Sequence, residues 1–393
     1  MSVFLHVTPH DPLVARDGRP FGIGQGRRMR GLPWPLPSVV AGSFRTALVK
    51  AGTADFFGDM PQRLMRIAVA GVFPVHDGRL YLPAPGDALA EPRNHGVGIK
   101  LLHRVRPQAI NGGCDLPEAG LQPVMLAATP AQEDFKPAEV PEWWPVQSLT
   151  EWMLGGEVRL DSSFLRRPGQ ETRDHVCLDV ERGAAAEGQI FATANLNLTH
   201  LPRFEDGTNT PRSFRDRFAE VSLSARVTFP ADFPFAIDPT FASWHPMGGE
   251  RRLVHWQASQ HAVEGWSCPE SIHQPLAGAT TVRMVLATPA IFAKGWRPGW
   301  LDDQLQGSPP GSSVRLKLVG VINARWKAVS GWSLAPPRGP KPIRRMVPAG
   351  SVYFFEVAKP GDAAPLAELW LQSVSDDPQE QRDGFGLAIW GTW

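Results

Sequence analysis

The sequence has 393 residues, 42% of them hydrophobic and 20% charged, which is ample apolar material for packed cores and excludes disorder over the whole chain. Forty Lys and Arg against 39 Asp and Glu leave a formal charge of +1, which excludes a histone-like polycation but not local clusters of one sign. Cys114, Cys177 and Cys268 are far apart and odd in number, which excludes a disulfide framework and a zinc ribbon.

At roughly 150 residues per domain, the length predicts two domains, or three. Residues 1–6 lack the basic and long apolar regions of a signal peptide, and no apolar run reaches the ~20 residues that span a bilayer. A cytoplasmic protein without membrane contact is expected.

Residues 2–8 read as a strand, with Val3, Leu5 and Val7 alternating with Phe4 and His6. A loop rich in Gly, Pro and Arg fills 9–37. Ser38 is the expected N-cap of a helix over 39–50, which carries Val40, Phe44, Ala47 and Leu48 on one face. Residues 67–75 and 80–82 are strand-like. The Pro-rich stretch 107–145 lacks periodicity and reads as an insertion or long loop. Residues 172–180 and 189–198 predict a long hairpin with a charged, small-residue tip.

A second half is expected from Phe214. There Val221, Leu223, Ala225, Val227 and Phe229 alternate with polar residues as in a half-buried strand. Residues 281–286, 314–322 and 351–357 are further strands, and the chain closes on a glycine-bearing segment, 384–391. No short-period repeat points to a solenoid or propeller. The pattern predicts an α+β class, each half an open sheet with helices on one face.

Several chemistries lack their motifs. There is no P-loop, HExxH or GxSxG pattern. Gly22, Gly24 and Gly26 are followed by Arg27, Arg28, Met29 and Arg30 rather than by a helix, so they fail as a dinucleotide fingerprint. The doublets His10-Asp11 and His76-Asp77 raise an HD-type metal phosphohydrolase. Each sits beside Pro or Gly in a turn, so neither a metal nor a cofactor is expected.

Clustered arginine in glycine-bearing loops is the positive signal. The first cluster is Arg16, Arg19, Arg27, Arg28 and Arg30, ahead of the helix N-terminus at Ser38, with Arg45 two turns on. Unpaired N–H groups and a positive helix end suit phosphate, and arginine forks match it in bidentate fashion. The bland alternative is a solvated basic loop. The second cluster is Arg338, Lys341, Arg344 and Arg345, with Trp332 nearby to stack a base, against a basic loop capping a strand edge. The third, Arg166, Arg167, Arg173 and His175, is diluted by Asp161, Glu171 and Asp174, which makes structural pairing at least as good a reading as RNA contact. Most of the 14 Trp are expected in the core or at subunit contacts, Trp390 and Trp393 included.

The run Pro-Leu-Val-Ala-Arg-Asp-Gly-Arg-Pro-Phe-Gly at 12–22 resembles the opening loop of the Cmr-type CRISPR effector subunit usually numbered third, of the RAMP superfamily. Residues 33–48, 338–355 and 384–391 are similar to its following helix start, its late motif and its C-terminal glycine-rich loop, and the tip Glu187-Gly188-Gln189 matches more loosely. The resemblance implies two ferredoxin-like (RRM-related) domains, placed at 1–213, with an inserted loop and the long hairpin, and at 214–393, with the glycine-rich terminal loop. It implies a non-catalytic subunit of a type III-B complex that holds the 5′ tag of the CRISPR RNA. Its expected partners are the large polymerase/cyclase subunit and the backbone RAMP subunits, with target RNA met indirectly. On that reading Arg16, Arg19, Arg27, Arg28, Arg30 and Arg45 contact phosphate and Ser38 presents the helix end. Lys341, Arg344, Arg345, His175, Gly384 and Gly386 complete the RNA-binding set. Nothing carries over to 107–145.

Two rivals remain. A RAMP endoribonuclease that processes precursor CRISPR RNA needs a general acid/base, for which His175 is the candidate. A carbohydrate- or small-ligand-binding protein would use the tryptophans in a cleft.

Overall fold

The computed structural model describes residues 2–17, 28–52, 59–93, 98–110, 113–126, 135–205, 213–233, 237–259, 263–333, 339–359 and 361–393. Strand β1 (Ser2–Pro9) buries Leu5 and Val7 completely. The helix α1 (Pro37–Ala51) lays Val40, Phe44 and Ala47 on the same core. Pro37 stands in its first turn, where the missing N–H costs nothing. A short α2 (Met60–Met65) leads into β2 (Ala68–His76), which turns tightly into β3 (Arg79–Pro83).

The chain then builds a small three-stranded sheet of β4 (Ala88–Pro92), β5 (Ile99–Pro107) and β6 (Val124–Leu126). The stretch 107–145, expected as a loop, therefore holds β6, and it ends in β7 (Trp143–Pro145), which pairs with β3. Both strands are too short for alternation to show. After α3 (Val146–Met153) comes the hairpin of β8 (Gln170–Asp179) and β9 (Ala184–Leu196), close to its expected bounds. A short pair follows, β10 (His200–Pro202) with β11 (Phe218–Glu220), around the capped turn α4 (Phe214–Arg217).

Strand β12 (Ser222–Thr228) shows the expected alternation, but it does not open a second half. It inserts between β1 and β2, antiparallel to both. With β13 (Ala242–Pro246) and β14 (Leu253–Ser259) it completes a seven-stranded sheet in the order β13-β14-β1-β12-β2-β3-β7. The division at 213/214 therefore does not coincide with the division between sheets, which falls between Ser259 and Thr281. Periodicity reports which face of a strand is buried and says nothing about its neighbour.

Past α5 (Glu270–Ala277), the second sheet contains β15 (Thr281–Leu286), β16 (Gln306–Gly307) and β17 (Leu316–Ile322). Two short ladders project between its strands. One pairs β18 (Lys327–Val329) with β21 (Arg344–Met346), the other β19 (Trp332–Ser333) with β20 (Gly339–Pro340). Strands β22 (Val352–Val357), β23 (Gln372–Ser373) and β24 (Leu387–Thr392) close the order β16-β17-β22-β15-β24-β23, with α6 (Pro378–Arg382) before β24. The expected glycine-rich terminal loop is thus largely a central strand.

Numbered among themselves by chain order, the four inner strands β14-β1-β12-β2 of the first sheet and β24-β15-β22-β17 of the second both read 4-1-3-2, and their neighbours are antiparallel. Helices are few. α1 packs on β2 and β13 of the first sheet, the short α6 packs against β2 as well, and β24 of the second sheet is met by α3, α5 and a 3-10 turn at Ala364–Leu369. One core spans both sheets, joining Phe73, Trp144 and Trp152 to Met284, Phe354 and Trp390. Inside it Arg283 pairs with Asp87, which also accepts a hydrogen bond from Trp152 Nε1 at 2.9 Å. The Arg104 guanidinium lies 3.8 Å over the Trp152 ring, and burial, with Arg283 nearby, lowers its pKa to about 10. The described residues contain no helix long and apolar enough to cross a membrane.

Candidate nucleic-acid interface

The two arms of the first arginine loop are built like strands. The Leu32 N–H donates to Ala15 O at 2.8 Å, and Arg16 bridges Gly31. The arms are pinned on both sides. Leu13 exchanges hydrogen bonds with Leu196 at the base of β9, and the Met29 N–H donates to Ala192 O at 2.9 Å. The Gly249 N–H donates to Val14 O at 2.8 Å. This close approach requires Gly248, where φ is +82° and a Cβ would lie 2.4 Å from the Val14 carbonyl. Alternation along the arms turns Ala15 and Met29 inward and Arg16, Arg28 and Arg30 outward into solvent. Among the described residues none of these three guanidinium groups is held in an ion pair. Arg19 and Arg27 lie outside the described residues.

Arg45 is not on this face. It is 4% exposed, donates through Nη1 to Asp383 Oδ1 at 2.6 Å, and donates through Nη2 to Ile67 O at 2.6 Å and Arg382 O at 3.1 Å. Its donors are spent joining α1 to the entry of β2 and to the end of α6, so it does not meet a phosphate. Ser38 is not the N-cap. The helix starts two residues earlier, at Pro37, Leu36 occupies the cap position, and no side chain caps it. Gly384 and Gly386 are also buried. A Cβ on Gly384 would meet Val69 O at 2.4 Å, and one on Gly386 would meet Ser375 Oγ at 2.4 Å. Their positive φ angles, +89° and +70°, let the chain fold against β2 before β24 begins. They are packing glycines.

The second cluster divides. Arg344 is paired with Glu380 of α6, whereas exposed Arg345 lies 5.0 Å over the half-exposed ring of Trp326. The backbone of Lys341 is tied to Gly331 and Ser330. Trp332 sits in β19, and Arg338 lies outside the described residues. The sequence reading missed Arg325, Trp326 and Lys327, all exposed. An aromatic flanked by two cations was the signal available for them.

Of the two readings of the third cluster, the contacts are those of structural pairing. Arg167 meets Glu142, Arg166 lies 5.2 Å over the Phe204 ring, and Arg173 holds Glu171 at 2.7 Å. That bond keeps the Glu171 carboxyl below its usual pKa and raises the Arg173 guanidinium. His175 stacks on Phe191 with centroids 4.9 Å apart, and its Nε2 lies 2.9 Å from Thr193 Oγ1. A hydroxyl and a ring hold it where an acid/base catalyst would have a carboxylate. Among the described residues no group of three His, Cys, Asp or Glu is placed to hold a metal.

Two antiparallel sheets sharing a core, with few helices and an arginine-bearing loop braced on a hairpin, define a mixed α/β protein. A family model described as CRISPR-associated protein (Cas_Cmr3) matches residues 5–393. The chain belongs to this Cas_Cmr3 family and is a Cmr-type CRISPR effector subunit. No curated protein matches it by sequence. Among solved structures, one chain of the cryo-EM structure of the type III-B Cmr-beta bound to cognate target RNA is similar at a TM-score of 0.45 and 14% identity, over 89% of this chain and 86% of that chain. The same coverage, at 0.45 and 13%, holds for the complex bound to target RNA and AMPPnP. A chain of the Csm3–Csm4 subcomplex of the type III-A interference complex gives 0.33 and 9%, over 92% and 94%. The family assignment rests on the sequence match.

Proposed function

We propose that this subunit is a non-catalytic scaffold that holds the 5′ tag of the CRISPR RNA on the braced arginine arms. It bridges the large polymerase/cyclase subunit to the backbone RAMP subunits. The observation that carries the reading is the outward set Arg16, Arg28 and Arg30, unpaired among the described residues and fixed on a backbone pinned to β9. Pre-ordered cations meet a polyanion at a small entropic cost. The 4-1-3-2 order of the inner strands in both sheets supports reading each sheet as a ferredoxin-like domain, with the boundary between 259 and 281 rather than at 213.

The test is RNA affinity against salt, using the full chain and single-stranded RNA carrying the repeat-derived tag. Arg28→Ala with Arg30→Ala is expected to flatten the log–log slope by about one per lost phosphate contact. An unchanged affinity and slope would remove the arms from the RNA site.

A further inference from the structure

A cavity of about 350 Å³ opens between the start of β2, the end of β12, β23 and α6. It stands at the end of the first sheet away from the arginine loop. Thr228, on its lining, pairs in register with Ser2 and Ala68, whereas β1 enters that loop at Pro9, about 23 Å further along the strand. Arg226 and Arg382 both line the cavity, and no Asp or Glu does. Among the described residues neither guanidinium group is held in an ion pair. Half-buried Arg226 makes one hydrogen bond there, from Nη2 to Leu371 O at 2.6 Å, and lies 5.3 Å over the Trp266 ring. Arg382 donates to uncharged partners, Met65 O and Gln379 Oε1. The most deeply buried arginines are matched by acids: Arg45 by Asp383, Arg283 by Asp87, and Arg297 by Glu118 and Asp303. Arg226 has no such match. Burial holds its guanidinium below the usual pKa, and no acid offsets that. A cation drawn out of water without a counter-charge costs stability.

We infer that this cavity binds the phosphate group of a small phosphorylated molecule. Two uncompensated guanidinium groups match a phosphomonoester, whose charge is about −2 at pH 7. A single carboxylate would neutralise only one of them. Nε and Nη1 of Arg226 are left to donate, and charge-assisted bonds from arginine to phosphate are among the strong ones. The exposed amide of Gln372 adds an uncharged donor at the rim. The volume lies in the range of small-ligand sites, so it holds more than a bare phosphate. This site does not depend on the RNA-binding reading, since it uses none of the arginines of the arms.

The experiment unfolds the full chain in urea with inorganic phosphate, ribose 5-phosphate or ribose, each against sodium chloride at equal ionic strength. Both phosphates are expected to raise the midpoint in a saturable way, because a ligand of the folded state stabilises it by mass action. Ribose is expected to leave it unchanged. A larger rise with ribose 5-phosphate identifies an organic phosphate as the occupant, and equal rises identify free phosphate. Arg226→Met and Arg382→Gln are each expected to weaken the apparent affinity by roughly 10-fold, the loss of one charge-assisted pair. The readout is the rise with ligand, so a variant that is merely less stable still reports. Both variants should keep the wild-type salt slope of tag RNA binding. A wild-type midpoint that neither phosphate moves, a rise that ribose reproduces, or a rise that survives both substitutions overturns the site. A reduced salt slope in Arg226→Met also overturns it, by giving the cavity to the RNA backbone.

Discussion

Arg45 shows how position decides the work of a charged residue. Ala41, Arg45 and Leu48 lie in line on α1 by i, i+4 and i, i+3 spacing, and Ala41 and Leu48 are buried. An arginine in that stripe enters the core and needs an acid there, which Asp383 supplies. Truncating it strands a buried carboxylate. Arg45→Ala is expected to cost about 3–5 kcal/mol of unfolding free energy, read as a lower urea midpoint. The folded fraction should keep the wild-type salt slope of RNA binding. A normal midpoint with a reduced slope would put Arg45 back on the RNA. The arms differ because Ala15 and Met29 take the inward positions and leave Arg16, Arg28 and Arg30 outside.

At the scale of elements, the hairpin β8–β9 is two-stranded, and it exposes Val176, Leu178, Val180 and Ile190. Val176 and Ile190 are cross-strand partners, and each is at least half exposed. Replacing both with Ser is expected to change stability by no more than about 0.5 kcal/mol, since little burial is lost. A clear drop in the urea midpoint would mean that this face is covered in the free chain.

The hairpin was legible because turn residues bracket two β-rich runs. β1, β12, β15 and β22 were legible because the positions they bury are apolar, apart from Ser224 in β12 and Arg283 in β15. β24 was not, because five of its six residues are buried on both faces, and a short apolar run beside glycines has no period to read. Strand order was not legible either, since β12 reaches its neighbours from far along the chain. The arginine loop was visible as composition. Which of its residues face solvent depends on contacts with Ala192 and Gly249 that no local pattern records.

For the whole molecule, the shared core ties the sheets together. Trp370 Nε1 donates to Gly265 O at 2.9 Å and Arg226 Nη2 to Leu371 O at 2.6 Å. One cooperative unfolding transition follows from this. On the alkaline side its pH dependence is set by buried acids that stay protonated. Burial pushes the Tyr81 phenol up to about 12 and the Cys268 thiol from 9.0 to about 12, while Tyr353 moves well above its usual range. The unfolded chain releases these protons first, so their stabilisation is complete below about pH 9 and drains away as pH rises toward 12. Urea midpoints should hold steady between about pH 7 and pH 8 and fall by about pH 10.5. A flat profile would show these groups to be solvated.

The place of β1 between β12 and β14 also sets a schedule for synthesis. Ser2 Oγ meets Thr228 Oγ1 at 2.9 Å across 226 residues of sequence. At roughly 5–20 residues per second, a ribosome leaves both edges of β1 without their neighbours for about 11–45 s. Throughout that interval an apolar strand with open edges travels beside other nascent chains, so a chaperone that shields it during translation should govern the yield of folded subunit more strongly than its final stability does.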